Sequence, residues 1–223
     1  MRIEKEICSD GEAGLDDDAL GAAKRAFGIS YLYPWQRLVI ANIIDAYRSR
    51  SAVNAAKADV SDACIEDAAE YGKQIVLLPT GAGKSLCFLV PALLLDGPTL
   101  IIYPLLALMA DQRRRMEEGN IGNVTFRGNQ SAEERAENFN KIKAGAKIIL
   151  ANPEVLQNEA LVARLSECAI AHVAIDEAHC VSQWGHDFRP SYRAIAPFIE
   201  RLPKRPLIGA FTATATPRVK DDI

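Results

Sequence analysis

Hydrophobic positions along the chain fall into two regimes. In the N-terminal part they recur at helical spacing: Leu20, Ala23 and Phe27 share one stripe, with Asp16 to Asp18 placed to cap it and Gly28 to stop it. A second stripe carries Leu38, Ile40, Ile43, Ile44 and Tyr47. From Lys73 onward the apolar residues gather instead into short unbroken runs. These are Gln74 to Leu78, Thr99 to Tyr103, Val124 to Phe126, Ile148 to Ala151, Val173 to Ile175 and Leu207 to Phe211. Runs of that length predict buried strands. Helix-like segments near 84–95, 105–118, 131–144, 153–166 and 191–201 separate them. Strand and helix alternating in this way predict an α/β fold, with a mostly parallel central sheet flanked on both faces by helices. Ligands of such folds sit at the carboxyl ends of the strands.

Two stretches stand apart from the pattern. Residues 1–15 are polar, and Met1 to Gly14 is expected to be poorly ordered. Ser49 to Gly72 is rich in Ala with scattered Asp, Lys and Glu, and reads as an insertion of exposed or mobile helix. With 223 residues, the chain is long enough for one good core. The longest apolar stretch, Leu86 to Leu95, is too short to span a bilayer and is interrupted by Pro91, so no membrane partner is expected. A net charge of −3 means that any nucleic-acid path must be a local patch. The five cysteines are scattered without a CxxC pair, which fits reduced thiols in a cytoplasmic protein. His172, His179 and His186 are equally spaced but straddle a strand and a loop without an HExxH, so the spacing is read as coincidence.

The chemistry begins after the first predicted strand, at Pro-Thr-Gly-Ala-Gly-Lys-Ser, residues 79–85, with a helix following at once. Glycines at 81 and 83 let backbone N–H groups turn toward phosphate oxygens, and the helix start adds its positive end. Thr80, Gly81, Ala82, Gly83, Lys84 and Ser85 are thus the candidate ATP-phosphate loop, with Lys84 reaching the β- and γ-phosphates and Ser85 binding Mg²⁺. The strict pattern asks for Gly at 78, where the chain has Leu78.

A second constellation lies at Ala174 to Tyr192. A strand ends in adjacent carboxylates, Asp176 and Glu177, and a loop bearing Gln183, Trp184, His186, Phe188 and Arg189 follows. One carboxylate of such a pair serves a metal ion and its neighbour the attacking water. Rings interleaved with basic groups suit single-stranded nucleic acid, whose bases stack while its phosphates pair with cations. An Asp-Glu pair alone is common by chance, and aromatics after a strand are more often core.

Residues 79–92 together with Asp-Glu-Ala-His-Cys at 176–180 and Ser-Gln-Trp-Gly-His-Asp-Phe-Arg-Pro at 182–190 resemble motifs I and II and the aromatic-rich loop of RecQ-type superfamily 2 DNA helicases. Phe27-Gly28 with Pro34 and Gln36 resembles motif 0, Pro104 to Gln112 motif Ia, Asn152-Pro153-Glu154 the stretch beyond it, and Thr212 to Thr216 motif III. The resemblance covers roughly Asp16 to Ile223 in the family's order. It implies a RecA-like P-loop lobe spanning residues 16–223, with the second RecA-like lobe expected outside this chain.

The resemblance implies ATP and Mg²⁺ as cofactors, single-stranded or forked DNA as partner, and 3′ to 5′ unwinding in replication, recombination or repair. A cytoplasmic site, nucleoid-associated in a bacterium, is implied with it. Lys84, Asp176 and Glu177 would be catalytic, and Ser85 and Asp176 would hold the metal. Gln36 would read the adenine edge, and Gln183, Trp184, His186, Phe188, Arg189, Thr212 and Thr214 would contact or report DNA. The sequence departs from the family at Ile29, Tyr33, Trp35 and Val155, and adenine stacking is expected to pass to Tyr33. The long spacing from Gln36 to Lys84 is supplied by the Ala-rich segment. Another superfamily 2 motor, acting on RNA or remodelling complexes, and a non-catalytic nucleotide-binding module are the alternatives.

Overall fold

The computed structural model describes residues 10–56, 72–185 and 187–223. Helices α1 (Asp10–Phe27) and α2 (Pro34–Ala56) precede the sheet. Strand β1 (Lys73–Leu77) leads to α3 (Leu86–Leu94), β2 (Thr99–Ile102) to α4 (Leu106–Glu118), and β3 (Asn123–Phe126) to α5 (Ala132–Lys143). Then come β4 (Ile148–Ala151), α6 (Glu159–Ser166), β5 (His172–Ile175), α7 (Ile195–Glu200), β6 (Leu207–Thr212) and α8 (Pro217–Asp222). All six expected strands form one sheet of order β1-β6-β5-β2-β4-β3, and every pairing is parallel.

Period-two alternation splits the core between the two faces of the sheet. Ile101, Ile148, Leu150, Ala174 and Phe211 face α2, α3 and α4. Leu100, Ile102, Ile149, Ala151 and Val173 face Phe139 of α5, Leu165 of α6 and Phe198 of α7. A smaller cluster joins α1, α2 and α3 through Ala23, Ile40, Ile44 and Val90. Helix α5 starts at a reciprocal cap: Glu134 N–H donates to Ser131 Oγ, and Ser131 N–H donates to Glu134 Oε2.

Several boundaries differ from expectation. Helix α1 begins at Asp10, so Asp16 to Asp18 lie inside it rather than at its cap. Once nucleated, a helix gains one bond per residue and runs on into neighbouring sequence without needing an apolar stripe. For the same reason the first part of the Ala-rich stretch, 49–56, continues α2; its remainder, 57–71, lies outside the described residues, as do residues 1–9 of the polar segment. The expected helix 153–166 is a 3-10 turn (Pro153–Gln157) and then α6, because Asn158 opens α6 as a cap and accepts from Leu161 N–H. The segment 191–201 divides likewise into a 3-10 turn at Pro190–Ala194 and α7. Finally, β1 is an edge strand and its cover is partial, leaving Ile75 43% and Leu77 40% exposed.

Candidate functional site

Because the sheet is parallel, the residues after β1, β5 and β6 meet at one edge. Leu77 pairs with Thr212, and Ile175 pairs with Ala210. The phosphate-type loop, the acid pair and the Thr212 end therefore sit on adjacent strands, although they are far apart in sequence.

Gly81 and Gly83 take φ of +85° and +73°, the left-handed region that a side chain resists. A Cβ on Gly83 would also collide with the amide of Gln36. Leu78 fits where the strict pattern asks for Gly because its N–H still donates to Thr212 O at 3.1 Å, so this position extends the strand ladder instead of turning. The loop is gripped from outside. Trp35 Nε1 donates to Ala82 O at 3.2 Å, and Gln36 Nε2 donates to the carbonyls of Ala82 and Gly83, each at 3.2 Å. Gln36 Oε1 accepts from Tyr33 N–H at 2.9 Å, and the residue is 1% exposed.

The two residues expected at the base both have partners within the chain. The Gln36 amide is taken up by loop carbonyls, and Tyr33 stacks on Trp35 with ring centroids 4.7 Å apart and planes 6° apart. A cavity of about 630 Å³ lies between the end of α1 and α4, lined by Arg25, Phe27, Ile29, Ser85, Gln112 and Arg115 among others. Neither Tyr33 nor Gln36 lines it.

Lys84 Nζ lies 3.1 Å from Asp176 Oδ1 and 2.9 Å from Glu177 Oε1. Glu177 has a φ of 47°, a backbone state costing of order 1–3 kcal/mol for a non-glycine residue. Its N–H donates to Asp176 Oδ1, and the buried Tyr192 hydroxyl donates to Asp176 O at 2.8 Å, which pins the turn. Burial alone would lower Lys84, but Asp176 and Glu177 outweigh it and hold the ammonium above its ordinary value. Burial, with Glu177 adding to it, raises Asp176 against the pull of Lys84. The lysine is thus content while the buried acid is not: two carboxylates share one ammonium, and the cluster favours a further cation.

His179 links this cluster to β6. Its Nδ1 lies 2.8 Å from Thr212 Oγ1 and 3.3 Å from Glu177 Oε2. Thr212 Oγ1 donates to Thr214 O, so the single hydroxyl proton is used there and His179 Nδ1–H is the donor toward Thr212. Sequence reasoning set His179 aside with the histidine spacing; its place two residues after Glu177 was the available signal. Cys180, read as a packed residue, is buried, and burial pushes its thiol up to about 11.

Of the aromatic loop, Gln183 and Trp184 are exposed, Phe188 and Arg189 are half-buried, and His186 lies outside the described residues. Arg189 Nη1 donates to Pro104 O at 2.9 Å, tying the loop to the turn after β2, while its Nε and Nη2 hold Asp187. Arg193 lies over the Phe188 ring. Arg113, Arg114 and Arg115 are exposed on α4, as a solvated helix face should be. No helix among the described residues is long and apolar enough to cross a membrane.

A glycine-bearing loop that faces an acidic strand end across a parallel sheet defines a P-loop nucleotide-binding domain of the RecA-like kind. Within that class the chain belongs to the DEAD/DEAH box helicase family, which residues 58–223 match. It is similar to the ATP-dependent DNA helicase RecQ of Bacillus subtilis (strain 168), at 47% identity over 148 residues, covering 66% of this chain and 25% of that protein. The ATP-dependent DNA helicase Q5 of Mus musculus is 39% identical over 155 residues, covering 66% of this chain and 16% of that one. Among solved structures, the Pyrococcus furiosus Hef helicase domain matches with a TM-score of 0.52 and 27% identity, over 66% of this chain and 33% of the other. The chain therefore spans no more than 25% of the length of these two helicase relatives.

Proposed function

We propose that this chain is the ATP-binding lobe of a RecQ-like, ATP-dependent 3′ to 5′ DNA helicase, working with a second RecA-like lobe on single-stranded or forked DNA in the cytoplasm. The observation that carries the reading is the meeting of Lys84 with Asp176 and Glu177 at the strand ends, one turn from the Trp184 loop. The Thr80 to Ser85 loop amides and Lys84 hold the ATP phosphates. Glu177 orients the attacking water, and His179 with Thr212 and Thr214 relates that carboxylate to the DNA side. Gln183, Trp184, His186, Phe188 and Arg189 contact the strand.

The donor set suits Mg²⁺ brought in with the nucleotide. No group of three or more His, Cys, Asp or Glu side chains among the described residues forms a metal cage. Mg²⁺ takes one or two carboxylates plus phosphates, and the acid pair has negative charge to spare. Asp176 and Ser85 would hold the ion, which when bound offsets charge on the β- and γ-phosphates.

ATP turnover of a protein carrying this lobe together with its second RecA-like lobe tests the reading, since this lobe alone is expected to turn over little, and it is measured with single-stranded DNA, with single-stranded RNA and with neither. Stimulation by DNA is expected, lost in Lys84→Ala, reduced by about 10² to 10⁴ in Glu177→Gln, and uncoupled from DNA in Trp184→Ala. Preference for RNA would favour the other motor class, and Glu177→Gln turning over like wild type would remove Glu177 from the chemistry.

A further inference from the structure

Trp184 is 60% exposed, yet one face of its indole is already covered: the Arg218 guanidinium carbon lies 3.5 Å from the ring centroid. Arg218 is exposed, and among the described residues it makes no ion pair, although Asp221 and Asp222 share its helix. The planar, delocalised guanidinium stacks on an aromatic face much as a base does. The same stretch is tied to α8 a second time, since Trp184 N–H donates to Ser182 Oγ at 3.1 Å and Ser182 Oγ donates to Asp222 Oδ2 at 2.5 Å. Helix α8 is in turn capped by Thr216, whose Oγ1 accepts from Val219 N–H at 3.3 Å, directly after the Thr212 to Thr214 turn.

We propose that Arg218 is a resident stand-in for a nucleobase: it occupies the Trp184 face on which a base of a single-stranded polynucleotide stacks, and the base displaces it. This rests on the reading of the Trp184 loop as a DNA contact. The relative strengths favour displacement. An exposed cation–π contact contributes about two- to fivefold in an equilibrium, whereas a base stacked on an aromatic side chain contributes about five- to 150-fold. The displaced guanidinium is then free to meet a phosphate, and α8 keeps its Ser182–Asp222 tie to the loop. Arg218 is therefore a positioning residue, through which occupancy of the loop reaches the helix that follows Thr212.

The test compares the affinity of the full chain for an oligo(dT) with that for an equally long abasic oligonucleotide, at one fixed salt concentration. Only the former offers bases to stack, so the ratio of the two affinities reads stacking and cancels backbone charge. Arg218→Ala is expected to raise the ratio about two- to fivefold. In a Trp184→Ala background the same change should leave it unaltered. A guanidinium that only pairs with phosphate predicts that both oligonucleotides weaken alike and the ratio stays fixed, which overturns the proposal. A fall in the ratio overturns it too, because the base would then be sandwiched between ring and guanidinium. A wild-type ratio that does not respond to Trp184→Ala sinks the DNA reading of the loop itself, a different failure from an unresponsive Arg218. Arg218 is exposed, so its truncation should leave the fold intact, and an unchanged thermal melt checks that.

Discussion

His172 sits in the middle of the sheet with a titratable ring and nowhere for its polar atoms to bond. It is fully buried on β5, in register with Thr99 and Leu207, and neither ring nitrogen has a hydrogen-bond partner among the described residues. No charged group opposes it across the ladder, and burial pushes its pKa from 6.5 down to about 3. The unfolded chain takes up a proton at this residue as pH falls through 6.5, while the folded chain stays neutral until about pH 3. Between those values the unfolded state binds more protons, so stability rises with pH and is lost on acidification. From about pH 7.5 to pH 5.5 the loss is about 0.59 × ln(11/1.1), or about 1.4 kcal/mol. Asp176 lies about 13 Å further along the strand direction at about 3.3 Å per residue, far enough for the two effects to add. The measurement is urea unfolding of wild type and His172→Val at both pH values. The variant should lose about 1.4 kcal/mol less than wild type on acidification, whatever its stability at neutral pH. An equal acid loss in both proteins would refute the reasoning, since His172 would then titrate alike in the folded and unfolded chains.

Two smaller changes probe the frame of the site. Thr212→Val removes the hydroxyl that meets His179 Nδ1–H; stimulation of ATP turnover by DNA should fall by about two- to thirtyfold, with basal turnover little changed, and an equal fall in both rates would mean a structural defect only. Ser131→Ala breaks the reciprocal cap of α5 and should lower unfolding stability by about 1 kcal/mol, with Glu134→Ala adding little on top; full additivity in the urea midpoints would mean that the two side chains do not act as a unit.

What could be read from the sequence follows from how local each feature is. Six apolar runs gave the six strands: the four inner ones, β2, β4, β5 and β6, are buried on both faces and need no partner information to be recognised, while the edge strands β1 and β3 keep the same short apolar run with only partial cover. The phosphate-type loop was equally plain, since its glycines, lysine and helix start are contiguous. Helix starts were harder. Asn158 caps α6 from within what reads as one helical stretch, and α1 extends through residues without an apolar stripe. Least accessible were pairs whose members are distant in the chain and of ordinary type. Gln36 meets Ala82 and Gly83 because α2 packs beside α3, and His179 meets Thr212 and Arg218 meets Trp184 because the parallel order sets β5 beside β6. Gln36, expected to read a base, grips the carbonyls of Ala82 and Gly83, a pairing that residue identity alone does not reveal.

These distant pairs share a physical character that bears on how the site works. Lys84 is held by Asp176 and Glu177, the 81–83 turn by Trp35 and Gln36, and the Trp184 ring by Arg218. Each contact is made by groups of the chemistry that a nucleotide or a polynucleotide brings: a charge partner for an ammonium, hydrogen bonds for a turn, a flat cation for a ring. None is strong in net terms. The Lys84–Glu177 pair keeps 12% and 29% of its side-chain surface in water, so solvent screens what Coulomb attraction remains after desolvation. A phosphate chain with its cation offers Lys84 and Asp176 more charge than they offer each other, and can therefore separate them. Separation frees Glu177, whose left-handed backbone is fixed by Asp176 and Tyr192 rather than by Lys84. Its carboxylate also keeps a second neighbour once Lys84 leaves, because His179 Nδ1 lies 3.3 Å from Glu177 Oε2, and a retained neighbour of this kind is what a site needs if binding is to precede chemistry.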